Sequence, residues 1–252
     1  MGIFQSSPPP PPPHLLQKFC LGNGGTVHGG KITRRAAADA LFHGSFTTKY
    51  REYKIPKVPG THYPFVFNYI MGLEKDARTG VRLEDIKLAM KGHVKDGYQF
   101  NPISAILEDN QHYNRDPSLN DNVHVLVCVI PGNTAGFHND NNPSQLLTQD
   151  FETKLREVRL EARDIGIPEI AILTKIDEAC PEVHKDIQNV YKSKYLKKKI
   201  EELSGRMGFP QNCIFPVKNY HSEIETSDIT DTLILSALRG MIESGEDFVN
   251  DL

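Results

Sequence analysis

The strongest constraint in this sequence is a set of short apolar runs with almost no polar alternation. They are His124-Val125-Leu126-Val127-Cys128-Val129-Ile130, Ile170-Ala171-Ile172-Leu173 and Cys213-Ile214-Phe215-Pro216-Val217. A strand that is apolar at nearly every position is buried on both faces, as in a parallel sheet sandwiched between helices. Segments with helical signals separate the runs: Gln149 to Gly166 is amphipathic and stops at a glycine, Lys185 to Gly205 is long and basic, and Asp228 to Ser244 opens on an acidic cap. This order predicts an α/β fold, a mostly parallel sheet with helices on both faces. Phe46 to Ile55 reads as an edge or half-exposed strand and Pro64 to Ile70 as a more apolar one. Leu15 to Gly22 reads as a poor buried strand because Gln17 and Lys18 interrupt it, and Leu21 to Gly44 as loops.

In such sheets ligands sit outside the carboxyl ends of the strands, so the residues that follow each run carry the chemical information. Directly after Ile170 to Leu173 stands Thr174-Lys175-Ile176-Asp177, the T-K-x-D form of a guanine-specificity element. A carboxylate at Asp177 can accept both the ring N–H and the exocyclic amine of guanine, a donor pair that adenine lacks. The Lys175 stem would cover the purine face while its ammonium reaches the ribose side. After the last apolar run, Lys218 and Asn219 in Pro216-Val217-Lys218-Asn219-Tyr220 are placed to offer backbone amides to the guanine carbonyl. The guanine-binding candidates are therefore Thr174, Lys175, Asp177, Lys218 and Asn219. The plain alternative is a pair of solvated strand ends.

The phosphate end is poorer. Thr47 and Thr48 are weak candidates to coordinate magnesium, and Gly72 to sense a terminal phosphate. An Asp-x-x-Gly is expected after the third strand, and the chain has Tyr69-Ile70-Met71-Gly72 instead. The best approach to a Walker A loop is Gly25-Thr26-Val27-His28-Gly29-Gly30-Lys31-Ile32, with isoleucine where the metal-binding hydroxyl belongs. No catalytic residue and no metal ligand set is assigned.

Several phrases, taken in order, carry a resemblance. Met71-Gly72-Leu73-Glu74, Lys91-Gly92-His93 with Tyr98-Gln99-Phe100-Asn101-Pro102, Leu173 through Pro181 and Pro216 through Tyr220 are similar to the interferon-induced protein 44 and 44-like family, over about Gly30 to Phe248. The resemblance implies a P-loop GTPase-like fold of the dynamin or septin type, cytoplasmic location and a role in the interferon-stimulated antiviral response. Innate-immune proteins, and a second copy across the nucleotide face, are the partners it implies. The family pattern has Asp-Thr-Met-Gly where this chain has Tyr69 to Gly72, and a Walker A loop upstream of the part matched by Gly30 to Thr33, so in that register the Gly25 to Lys31 match is accidental. The expected organisation is a proline- and glycine-rich, disordered N-terminus over residues 1–29 and a degenerate GTPase-like domain over 30–248. Weak GTP or GDP binding, uncertain magnesium and little or no hydrolysis follow. The alternatives are an active GTPase with its loop reassembled at Gly25 to Lys31, and an interaction scaffold that binds no nucleotide.

Composition narrows the rest. A length of 252 residues with 38% hydrophobic content supports one substantial core, and a formal net charge of -3 gives no broad reason to bind nucleic acid. The four cysteines form no C-x-x-C pair, which fits reduced thiols better than disulfides or zinc. No stretch approaches the roughly 20 apolar residues of a membrane span. The uninterrupted Pro8 to Pro13 run prefers an extended left-handed helix and is a candidate ligand for SH3- or WW-type grooves. The lysine run from Lys192 to Lys199 reads as the solvated face of a helix, with a lipid or nucleic-acid patch as the alternative.

Overall fold

A computed structural model describes residues 16–22, 49–70, 81–133, 149–220 and 223–252. Among them six strands form one sheet: β1 (Leu16–Gly22), β2 (Arg51–Pro56), β3 (His62–Tyr69), β4 (Val125–Pro131), β5 (Glu169–Thr174) and β6 (Ile214–Pro216), in spatial order β2-β3-β1-β4-β5-β6. Only β2 runs antiparallel to its neighbour. The apolar runs are the reason for this arrangement. All seven residues of β4 are buried, and alternate positions feed opposite faces. Leu126, Cys128 and Ile130 join Leu155, Val158, Met207 and Phe209 in one cluster. Val125, Val127 and Val129 join Ile170, Ile172, Val217, Ala237 and Met241 in the other. Helices α1 (Leu83–Met90), α2 (Gln149–Asp164) and α5 (Lys194–Met207) supply the first face, and α6 (Asp228–Asn250) covers the second. Two short helices, α3 (Ile176–Ala179) and α4 (Pro181–Lys185), follow β5. The α/β architecture expected from the apolar runs is the one found.

Three readings need correction. Leu16–Gly22 is a strand, and its backbone pairs with β3 on one side (Lys18 opposite Phe67) and β4 on the other (Lys18 opposite Val125). Pairing on both edges overrides a local composition that argues against a buried strand. The basic helix expected from Lys185 to Gly205 is broken. The Asp186 carboxylate caps a 3-10 turn at Ile187–Asn189 by accepting the Gln188 amide, and Ser193 caps α5 by accepting the Leu196 amide at 3.3 Å. Helix α6 continues past Ser244 to Asn250, with Gly245 buried within it. Helix α1, between β3 and β4, buries Asp85, Ile86, Ala89 and Met90.

An ion-pair clamp ties α2 to the start of β5 and to the end of α5. The Arg159 guanidinium donates to both carboxylate oxygens of Glu169 (2.9 and 3.0 Å), to the carbonyl of Gly208 at 3.1 Å and to that of Met207. It also lies 4.0 Å from the centroid of the Phe209 ring. Gly208 has φ of 78°, and a Cβ there would come within 2.8 Å of the Arg159 Nη1. At the β2 edge, the amide of Glu52 donates to Asp96 Oδ1 at 2.8 Å, and Tyr50 exchanges backbone hydrogen bonds with Tyr98 and Gly97 at 2.8 and 2.9 Å.

Among the described residues no helix is long and apolar enough to cross a membrane, and no cluster of three histidine, cysteine or acidic side chains could hold a metal ion. Cys128 and Cys180 are buried and Cys213 half-buried, and none of the three is in a disulfide.

Candidate nucleotide-base site

The carboxyl ends of β5 and β6 are neighbours, with Leu173 opposite Pro216 and the Val217 amide donating to the Leu173 carbonyl at 2.8 Å. The two loops carrying the sequence-derived residues therefore leave the sheet side by side. Thr174 ends β5 at 1% exposure, and its Oγ1 has no hydrogen-bond partner among the described residues. Lys175 follows in the left-handed region (φ 54°, ψ 39°) and is the only described non-glycine residue there. Left-handed backbone costs an L-residue about 1–2 kcal/mol, and such strain gathers at functional positions. Here it turns the chain straight into α3, whose first hydrogen bond runs from the Ala179 amide to the Lys175 carbonyl at 3.0 Å. Ile176 is fully buried and anchors that turn, which leaves Asp177 half-buried in the first turn of α3.

The β4 loop packs against the same corner. The Gly132 amide donates to the Thr174 carbonyl at 2.6 Å, and a Cβ on Gly132 would lie 2.8 Å from that oxygen and 3.3 Å from the Ala179 side chain. Only glycine allows this approach without a shift. Asn133 then donates to Glu178 Oε2 at 2.5 Å, and Glu178 Oε1 lies 3.8 Å from the Lys175 ammonium.

On the β6 side the Lys218 ammonium pairs with Glu223 at 2.9 Å. That hydrogen bond raises the Lys218 pKa above the usual lysine value, and attraction to Asp177 adds to it, so Lys218 and Asp177 share one electrostatic neighbourhood. Asn219 is half-buried beside them. The Tyr220 hydroxyl accepts the Ser227 amide at 2.6 Å and lies 2.8 Å from Asp231 Oδ1, which ties this loop to the start of α6.

The structure thus brings Thr174, Lys175, Asp177, Lys218 and Asn219 to one corner of the sheet. Thr47, Thr48, Gly72, the Gly25 to Lys31 segment and the Pro8 to Pro13 run lie outside the described residues. Tyr69 closes β3, opposite Arg51 of β2 and Cys20 of β1. Sequence reasoning missed Asn133, Glu178 and Glu223. Asn133 was within reach, because a parallel sheet sets the turn after β4 next to the turn after β5.

The fold and this corner define the class: an α/β protein whose mostly parallel sheet is covered by helices on both faces, with polar side chains converging beyond its strand ends. No family model matches the chain. Human interferon-induced protein 44 is 31% identical over 229 residues, covering 90% of this chain and 49% of the relative. Human interferon-induced protein 44-like is 32% identical over 243 residues, covering 90% and 52%, and the mouse interferon-induced protein 44 is 29% identical over 242 residues. The chain belongs to the interferon-induced protein 44 and 44-like family, and it spans about half the length of these relatives.

Proposed function

We propose that this chain is a cytoplasmic guanine-nucleotide-binding-fold protein of the interferon-induced antiviral response, P-loop GTPase-like in architecture, that binds GTP or GDP weakly and acts by interaction. The interferon-induced role is supported by the names of its relatives. The nucleotide reading is supported by one observation: the T-K-x-D loop and the Lys218-Asn219 loop leave adjacent parallel strands, with Asp177 in the electrostatic neighbourhood of Lys218. Asp177 supplies the paired acceptor for guanine, the Lys175 stem covers the ring, and the buried Thr174 hydroxyl is a hydrogen-bond donor in reserve beneath them. Hydrolysis is negligible on this reading. The neutral phenol of Tyr69 cannot replace a carboxylate in holding magnesium-bound water, and Ile32 offers no hydroxyl.

Titration of the purified chain with a fluorescent guanine nucleotide, with and without magnesium, tests this. Weak binding that discriminates GDP from ADP and is lost in Asp177→Ala is expected. Absence of any guanine-nucleotide binding would overturn the reading in favour of a scaffold.

A second reading, an active GTPase using Gly25 to Lys31, rests on the position of β1. That strand ends at Gly22 between β3 and β4, so the glycine-rich segment with Lys31 follows a central strand directly. GTP turnover clearly above that of a Lys175→Ala, Asp177→Ala double variant would establish it.

A further inference from the structure

The lysines around the start of α5 have no part in the base site. Between Lys185 and Ile200 the chain carries six lysines and one aspartate, a local charge of +5 in a protein whose formal total is -3. Lys199 points inward at 4% exposure, and burial holds its ammonium below the usual lysine pKa. Lys185, Lys192, Lys194, Lys197 and Lys198 are all exposed. Leu196, Lys199, Leu203 and Met207 form the inner face of α5, so its lysines at 194, 197 and 198 lie on the outer one. Two tyrosines stand among them, Tyr191 at 74% exposure and Tyr195 at 44%. Glu201 lies 3.8 Å from Lys197 at this surface. The first turn of α5 contains no acidic residue, so these cations also stand at the end of the helix where they are electrostatically least welcome. The arrangement works against local stability, which directs attention to what the surface meets.

We infer that this basic, tyrosine-bearing surface docks the protein onto membranes that carry anionic phospholipid. Three features choose that occupant over nucleic acid. The cations between Lys185 and Gly205 are all lysines, point charges suited to a diffuse field of headgroups, and none is an arginine with the planar fork that reads phosphates or bases bidentately. The tyrosines expose an apolar ring with a polar tip, the amphipathic form that partitions to headgroup depth. The charge lies on the convex outer face of a helix, which meets a plane more readily than it encloses a strand.

Co-sedimentation of the full chain with vesicles tests this, comparing pure phosphatidylcholine with phosphatidylcholine containing about a third phosphatidylserine. The chain is expected to sediment with the anionic vesicles only, and less as salt rises. Each lysine near such a surface is worth about fivefold in partitioning, so Lys194→Glu, Lys198→Glu is expected to lose at least about twenty-five-fold. Tyr191→Ala should lose severalfold, while Lys57→Glu, in the β2–β3 turn, and Asp177→Ala should sediment like wild type. Unchanged thermal midpoints in these surface variants establish that the fold is intact. Equal sedimentation with both vesicle types, no sedimentation with either, or release from anionic vesicles by a single-stranded RNA that binds more tightly would each overturn the inference.

Discussion

Replacing Arg159 by methionine isolates the clamp between α2, β5 and the end of α5. The Arg159 side chain is 8% exposed and that of Glu169 12%, so neither charge has water as a ready substitute. The variant leaves Glu169 without its bidentate partner, and the carbonyls of Met207 and Gly208 without their donor. Breaking one partner out of a buried ion pair costs about 3–5 kcal/mol. At about 2–4 °C per kcal/mol for a domain of this size, the thermal midpoint should fall by roughly 6–20 °C. Removing the stranded charge as well, in Arg159→Met, Glu169→Leu, should recover the part of the loss that comes from the unpaired carboxylate and leave about 1–3 kcal/mol for each carbonyl without its donor. Urea denaturation of the wild type, the single and the double variant measures all three. A single-variant loss below about 1 kcal/mol, or a double variant no better than the single, would refute the assignment of the clamp as a desolvated pair.

Three further expectations rest on individual residues. Gly240 lies where α6 crosses β6, and a Cβ there would sit 2.5 Å from the Phe215 ring. Gly240→Ala should therefore lower stability by about 1–3 kcal/mol in urea, although alanine is the better helix former. Asp85 is fully buried on α1, and burial raises its carboxyl pKa despite a hydrogen bond from the Ile106 amide to Oδ1 at 2.8 Å; burial also pushes the nearby Tyr98 hydroxyl up to about 12. A raised folded-state pKa means that its stabilisation is complete in acid, below the ordinary aspartate value, and is lost as pH rises through the folded value. Asp85→Asn should match wild type in acid and exceed it near neutrality in parallel thermal melts, and a gap that closes as pH rises would contradict this. At Lys175, glycine should be neutral to stabilising by about 1 kcal/mol and valine destabilising by more than 1, because only glycine takes left-handed backbone freely.

The sheet was legible where burial alone decides it. The unbroken apolar runs at Val125, Ile170 and Ile214 can be stable only when covered on both faces, and period and length settled them. Leu16–Gly22 was read as a poor strand because its place depends on partners about 50 and 110 residues away, which local composition does not report. The break before α5 follows from two caps, Asp186 and Ser193, that read as ordinary polar residues until the backbone they satisfy is known. At the site, residue types named Asp177 and Lys175. The left-handed turn at Lys175 and the bridge from Asn133 to Glu178 exist only in three dimensions.

The side-chain cap that Asp96 places on Glu52 has a consequence for assembly. A sheet margin with open amides invites another chain to continue it, and β2 meets that hazard with an aspartate on one amide, a loop on Tyr50 and a proline, with no donor to give, at Pro56. At this margin these features obstruct strand-by-strand growth. A second copy that joins it here is expected to do so through side chains, so that such an association stays reversible and answers to salt and surface mutation.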